Sequence, residues 1–202
     1  NGAGKSTLAL ALNGTIPHLL HGRFRGHVLL DGVPVGAPRT TARRVGVVFQ
    51  DFEAHLVSST AALEAAFPLE NHGMEAARMR ERVADVLGLV GLGGFDERVP
   101  AELSGGEKQR LAIAAAVALA PALLVLDEPL TDLDPAGKAL VLGVIRRLQA
   151  GGVAVVLVEH EPAALLAADR LLVMDAGRIA YDGPPGPLLA DPEYQGQPRA
   201  QQ

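Results

Sequence analysis

Apolar residues in this chain come in two patterns. Short unbroken runs occupy residues 28–30, 45–49, 123–126 and 153–158. Between them lie longer stretches where apolar positions recur every three or four residues. Unbroken runs of three to six predict strands buried on both faces, and the three-to-four period predicts helices with one apolar stripe. The predicted helices cover residues 7–12, 60–67, 74–90, 107–119, 135–150 and 162–168. In the third, Met74, Ala77, Val83, Val86, Leu87 and Val90 form the stripe, and Arg78, Arg80, Glu81 and Arg82 face solvent. Residues 15–26 read as a loop, 39–44 as a short helical turn and 51–59 as irregular. Residues 171–174 and 178–181 pair as a hairpin about Ala176-Gly177.

Strands alternating with helices predict an α/β fold, a mostly parallel sheet with helices on both faces. Polar residues collect where the strands end: Gln50, Asp127, Glu128, Glu159 and His160. The carboxyl edge of such a sheet is where ligands bind. Residues 50–103 interrupt the alternation as a helical insertion. The expected organisation is one nucleotide-binding domain over 1–183, a helical subdomain at about 55–119, and a weakly ordered Pro/Gly/Gln-rich tail over 184–202.

Composition narrows the classes. The chain has 202 residues, 49% hydrophobic but only 3% aromatic, so its core is aliphatic. A net charge of −5 argues against nucleic acid as a partner. With no cysteine there is no disulfide or thiolate metal site. The longest apolar run, 111–126, is broken by Pro121 and falls short of the roughly 20 residues of a membrane span. It reads as a buried helix, a turn and a buried strand. His18 and His21 lack a third ligand nearby and read as loop residues.

Three stretches carry chemistry. Asn1-Gly2-Ala3-Gly4-Lys5-Ser6-Thr7 matches the end of the phosphate-binding pattern G-x-x-x-x-G-K-[ST]. Glycines let backbone N–H groups turn towards phosphate oxygens, Lys5 can reach the β- and γ-phosphates, and the Ser6 hydroxyl can ligate Mg²⁺. The following helix offers its positive end to the same anion. A glycine turn before an ordinary helix is the plainer alternative. The pattern belongs after a strand, so the chain is expected to be a fragment whose first strands precede Asn1. In the second stretch, the strand at 123–126 delivers Asp127, suited to hold Mg²⁺, and Glu128, suited to polarise an attacking water. The pair could instead cap a helix. The third is Leu103-Ser104-Gly105-Gly106-Glu107-Lys108-Gln109-Arg110, whose helix start offers N–H groups and a hydroxyl to an anion, or is simply capped by Ser104.

This last stretch closely resembles the signature of the ATP-binding subunits of ABC transporters, and the resemblance runs along the chain in family order. It implies a P-loop NTPase (RecA-like) fold with an α-helical signature subdomain, and ATP and Mg²⁺ as cofactors. It assigns Asn1, Gly2, Ala3, Gly4, Lys5, Ser6 and Thr7 to ATP. It gives catalytic roles to Glu128, to His160 as the switch histidine, and to Gln50 as the glutamine that senses γ-phosphate. Ser6, Gln50 and Asp127 would hold the metal. Thr131-Asp132-Leu133-Asp134 resembles the D-loop, Asp134 included, although Asp132 replaces a small residue. ATP would lie between two such subunits, with Ser104, Gly105, Gly106 and Gln109 of one facing the nucleotide of the other. A second ABC ATPase subunit, identical or homologous, is therefore implied.

Residues 13–18, 22–32, 45–56 and 158–161 are similar to the energy-coupling factor (ECF) importers, whose ATPases power uptake of vitamins, vitamin precursors, cobalt or nickel. That implies a transmembrane coupling subunit, a substrate-binding membrane subunit and a place at the cytoplasmic face of the membrane. Glutamine is more usual than His55 at its position. Phe52, Leu56 and Val57 are expected to line a groove for a partner helix. The competing readings are the ATPase subunit of another ABC transporter, or a non-transport ABC ATPase acting on ribosomes or DNA, although no long coiled coil separates Gln50 from Ser104, as a DNA-repair type would require. A non-hydrolysing relative is disfavoured by intact Lys5, Glu128 and His160.

Overall fold

The computed structural model describes residues 2–186. Asn1 and the predicted tail from residue 187 onwards lie outside the described residues. The chain divides into two compact units, one of Ser6–Val158 and one of Asn1–Lys5 with Glu159–Gln202.

The larger unit follows helix α1 (Lys5–Leu12) with a single turn, α2 (Thr15–His18). That turn stands where a loop is expected, and the Asn13 side chain accepts the Thr15 N–H at 2.9 Å beside it. Strands β1 (Leu29–Leu30) and β2 (Val33–Pro34) pair across Asp31-Gly32. Helix α3 (Pro38–Thr41) leads into β3 (Val45–Val48). Next come α4 (Ala61–Asn71), α5 (Ala76–Leu89), α6 (Gly105–Val117), β4 (Leu123–Asp127), α7 (Pro135–Ala150) and β5 (Ala154–Val158). Strands β3, β4 and β5 form a parallel sheet with β4 in the middle. All five residues of β4 are buried, as its unbroken apolar run requires.

The pleat sends alternate residues to opposite faces. Val45, Leu123 and Val125 pack with Ala9 of α1, flanked by Val47 and Val156. Gly46 and Leu124 point the other way, towards α6. A Cβ at Gly46 would come within 2.4 Å of the Ala116 carbonyl oxygen, so glycine allows the helix to approach the strand closely.

Helices α4, α5 and α6 pack on one another. Two arginines satisfy carbonyls at their ends. Arg82 donates to Val117 and Ala118 at 2.8 Å each, and Arg110 to Val90 and Gly91 at 3.1 and 3.2 Å. Such contacts serve carbonyls that have no intrahelical partner and favour a cation there. Helix α4 runs past Pro68, beyond the expected end at 67; fully buried Leu69 draws the chain onward despite the missing N–H. Helix α5 starts later than the stripe predicts. Glu75 caps it by accepting the Ala77 and Arg78 N–H groups, which hold its carboxyl below the usual range, and Ala77 is exposed rather than core.

In the smaller unit, α8 (Pro162–Leu166) precedes the antiparallel hairpin of β6 (Leu171–Asp175) and β7 (Arg178–Gly183). Ala176 and Gly177 both have positive φ, as a tight two-residue hairpin turn needs. The Arg170 guanidinium grips Asp182 through two bonds of 2.6 Å. No helix among the described residues is long and apolar enough to cross a membrane.

Candidate functional site

Parallel pairing sets the centre of the site. Val48 lies opposite Leu126, so Gln50 and Glu128, each two residues further on, leave the sheet at the same edge. The Gln50 Nε2 donates to Glu128 Oε2 at 3.1 Å. Glu128 is half-buried and has a φ of 51°, a left-handed backbone that costs a non-glycine residue about 1 kcal/mol or more. The Val158 carbonyl holds that turn by accepting the Glu128 N–H at 2.9 Å. Asp127 is the last residue of β4 and is 5% exposed. The alternative that this carboxylate pair caps a helix fails, because the cap of α7 is Asp134, whose Oδ1 accepts the Gly137 N–H at 2.7 Å.

Mg²⁺ takes one or two carboxylates and fills its remaining positions with water and substrate phosphates. The described residues contain no cluster of three or more metal-binding side chains. Buried Asp127, the Gln50 amide oxygen and the exposed Ser6 hydroxyl are hard oxygen donors of the right kind.

Ser104 opens α6, and the helix start is a capping box. Ser104 Oγ accepts the Glu107 N–H at 3.4 Å, while Glu107 accepts the Ser104 N–H and hydroxyl at 2.8 Å each. Those two bonds hold the Glu107 carboxyl below its ordinary range. The signature thus caps its own helix while Ser104 and Gly105 stay exposed. The first turn lies against the start of α7 and the residue before its cap: a Cβ on Gly105 would stand 3.7 Å from Leu133, and one on Gly106 would stand 3.6 Å from Gly137 Cα.

Gln109 requires a correction. Expected to face a partner's nucleotide, it is 0% exposed, with both amide atoms buried and unpaired. It falls on the inward side of α6, with Leu111, Ile113 and Ala114 buried in the turn that follows it. In this conformation it cannot touch a molecule at the surface.

The phosphate-loop residues Gly2 to Lys5 belong to the smaller unit. Gly2 and Gly4 have φ of 76° and 95°, and the Gly177 N–H donates to the Ala3 carbonyl at 3.1 Å. Ser6 and Thr7, in the first turn of α1, are exposed. His160 also lies in the smaller unit, with its side chain 75% exposed. The Glu159 carboxylate accepts the His160 N–H at 2.9 Å and so fixes the backbone there.

The irregular segment after Gln50 holds a single 3₁₀ turn, Glu53–His55. Beside it is a groove of about 260 Å³ lined by Phe49, Phe52, His55, Leu56, Glu64 and Ala112 among others. Phe52 and Leu56 line it. Val57 does not, and is 70% exposed. Glu64, missed by sequence reading, is buried and accepts the Val57 and Ser58 N–H groups at 3.0 and 2.8 Å, pinning the segment. Its polar partners are backbone groups six and seven residues away, which no side-chain pattern reveals.

The ABC transporter family model matches residues 1–131. The energy-coupling factor transporter ATP-binding protein EcfA1 of Symbiobacterium thermophilum is 44% identical over 194 residues, 94% of this chain and 66% of that protein. A Pyrococcus abyssi protein named as an ABC transporter ATP-binding protein is 43% identical over 198 residues, covering 96% of this chain and 71% of that one. The chain spans 34% of the length of a Caldanaerobacter subterraneus relative to which it is 44% identical. The structure is similar to cbiO1 of Clostridium perfringens, described as part of the ABC transporter complex cbiONQ, with a TM-score of 0.84 and 28% identity over 96% of this chain and 78% of that one.

Proposed function

The chain belongs to the ABC transporter family as an ATP-binding ATPase domain, and from that premise we propose that it hydrolyses ATP to drive uptake of a micronutrient through membrane partners. The observation that carries the reading is the Gln50–Glu128 contact at the sheet edge. The Gln50 amide engages one oxygen of Glu128, which leaves the second free to take a proton from an attacking water. The left-handed turn at Glu128, held by Val158, supports a carboxylate fixed in place for that purpose.

Lys5 and the N–H groups of Gly2 to Ser6 bind the phosphates in this reading. Ser6, Gln50 and Asp127 are the groups that would hold Mg²⁺, which when bound offsets phosphate charge. His160, exposed at the end of its strand, is available to steady the γ-phosphate. Exposed Ser104 and Gly105 at the start of α6 are suited to meet the nucleotide of a second ATPase subunit, identical or homologous. Asp134 caps α7 and sets the D-loop beside them.

The ECF-type name of one relative and the complex to which cbiO1 belongs support a transmembrane coupling subunit, a substrate-binding membrane subunit and a peripheral position at the cytoplasmic face. The proposed substrate class is a vitamin, a vitamin precursor or a metal ion. The domain reading, nucleotide-binding core over 1–183 with a helical subdomain at about 55–119, is part of the same proposal.

Ser104→Arg in the full-length protein tests the two-subunit arrangement. ATP binding to the separate subunit is expected to persist, and ATP-dependent dimerisation is expected to disappear. Loss of ATP binding by the separate subunit would place Ser104 in its own nucleotide site and overturn the arrangement.

A further inference from the structure

Two functional stretches far apart in sequence are joined by one ion pair. Lys108 Nζ donates to Glu53 Oε2 at 2.9 Å. Glu53 opens the 3₁₀ turn three residues after Gln50, which touches Glu128. Lys108 lies in the first turns of α6, and its N–H donates to the Ser104 carbonyl at 2.8 Å. The Lys108 side chain is 19% exposed and that of Glu53 54% exposed, so the ammonium is largely sheltered and its carboxylate partner is wet. A continuous chain of contacts therefore runs from Glu128 through Gln50 and the 3₁₀ turn to Glu53, Lys108 and Ser104.

We propose that Glu53 and Lys108 are positioning residues for ATP hydrolysis: their ion pair ties the start of the signature helix to the segment that follows Gln50. This rests on the ATPase reading above. A half-exposed pair adds little to folding stability, so a link that joins residues 55 positions apart acts through position rather than strength. Holding the two stretches together sets where Ser104 and Gly105 stand when Gln50 is engaged. Neither Glu53 nor Lys108 touches the nucleotide in this account. Their effect falls on turnover, which requires the signature to be in place, and not on the affinity of the phosphate loop.

The test measures steady-state hydrolysis by the full-length protein with its partner ATPase subunit, comparing Glu53→Lys, Lys108→Glu, the double exchange and Lys108→Arg. Each single reversal is expected to lower kcat about fivefold, or ~1 kcal/mol, the upper end for an exposed pair. KM for MgATP should change less than about twofold and Tm by less than about 2 °C. The double exchange and Lys108→Arg should recover at least half of wild-type kcat. Wild-type kcat in both single reversals, or a double exchange no better than either single, would overturn the proposal. So would a change confined to KM or Tm. Failure of the underlying reading has a different mark: Glu128→Gln in the same preparation would hydrolyse ATP normally.

Discussion

Gly46→Ala perturbs a close approach between β3 and helix α6. Gly46 sits in the middle of β3, paired with Leu124, and its added Cβ would meet the Ala116 oxygen at 2.4 Å, the Ala116 carbonyl carbon at 3.1 Å and Leu124 Cδ1 at 3.3 Å. The first obstacle is backbone, which no rotamer change relieves. Helix α6 would have to retreat by about 0.6 Å or more to restore even a 3.0 Å contact. That movement disturbs Ile113, Ala114 and Val117, all buried on the same helix. Overpacking of this kind costs about 1–3 kcal/mol. Taking ~2 kcal/mol and roughly 3 °C per kcal/mol for a chain of this size, Tm should fall by about 6 °C. Thermal unfolding followed by circular dichroism reads this directly. The control is Gly143→Ala, in the interior of α7, where an added Cβ meets nothing within 4 Å. Relief of the glycine penalty in a helix should raise Tm by about 2–3 °C. Equal Tm values for Gly46→Ala and the wild type would refute the close-approach argument.

Two further outcomes follow from the same geometry. Glu107 carries a depressed carboxyl pKa because the Ser104 N–H and hydroxyl favour its charged form, so its stabilisation is complete above the ordinary glutamate value and disappears as pH falls through the lower folded value. Glu107→Gln should therefore cost ~1 kcal/mol at pH 7, with the gap to wild type closing below about pH 4 in urea titrations; a gap that widens in acid contradicts the capping box as drawn. Phe52→Ala and Leu56→Ala, at half-buried groove positions, should abolish co-purification of the membrane partners while ATP binding and Tm hold; a large fall in Tm with assembly intact would make them core residues.

The centre of the sheet was legible in the sequence because β4 is buried on both faces and β3 nearly so, whereas β5 is only half-buried. Val45–Val48 and residues 123–126 are almost entirely aliphatic, and such runs admit few other readings. Helix α7 was legible at both ends from Pro135 in its first turn and Gly151 beyond its last residue. Helix α4 outran its expected end at 67 because the burial of Leu69 carries the helix through Pro68. At the site, Gln50, Asp127 and Glu128 were legible as polar residues ending apolar runs. Gln109 was not, since a contiguous motif says nothing about which side of a helix each member faces. The Glu53–Lys108 and Glu64 contacts escaped because they depend on how the chain returns in space.

In the proposed mechanism Glu128 activates the water that attacks ATP. Glu128→Gln keeps the size of the side chain and removes the base. In the full-length protein assembled with its partner subunit, ATP binding should be retained and turnover should fall by about a hundredfold or more. Hydrolysis at close to the wild-type rate, with ATP bound equally well, would contradict the claim.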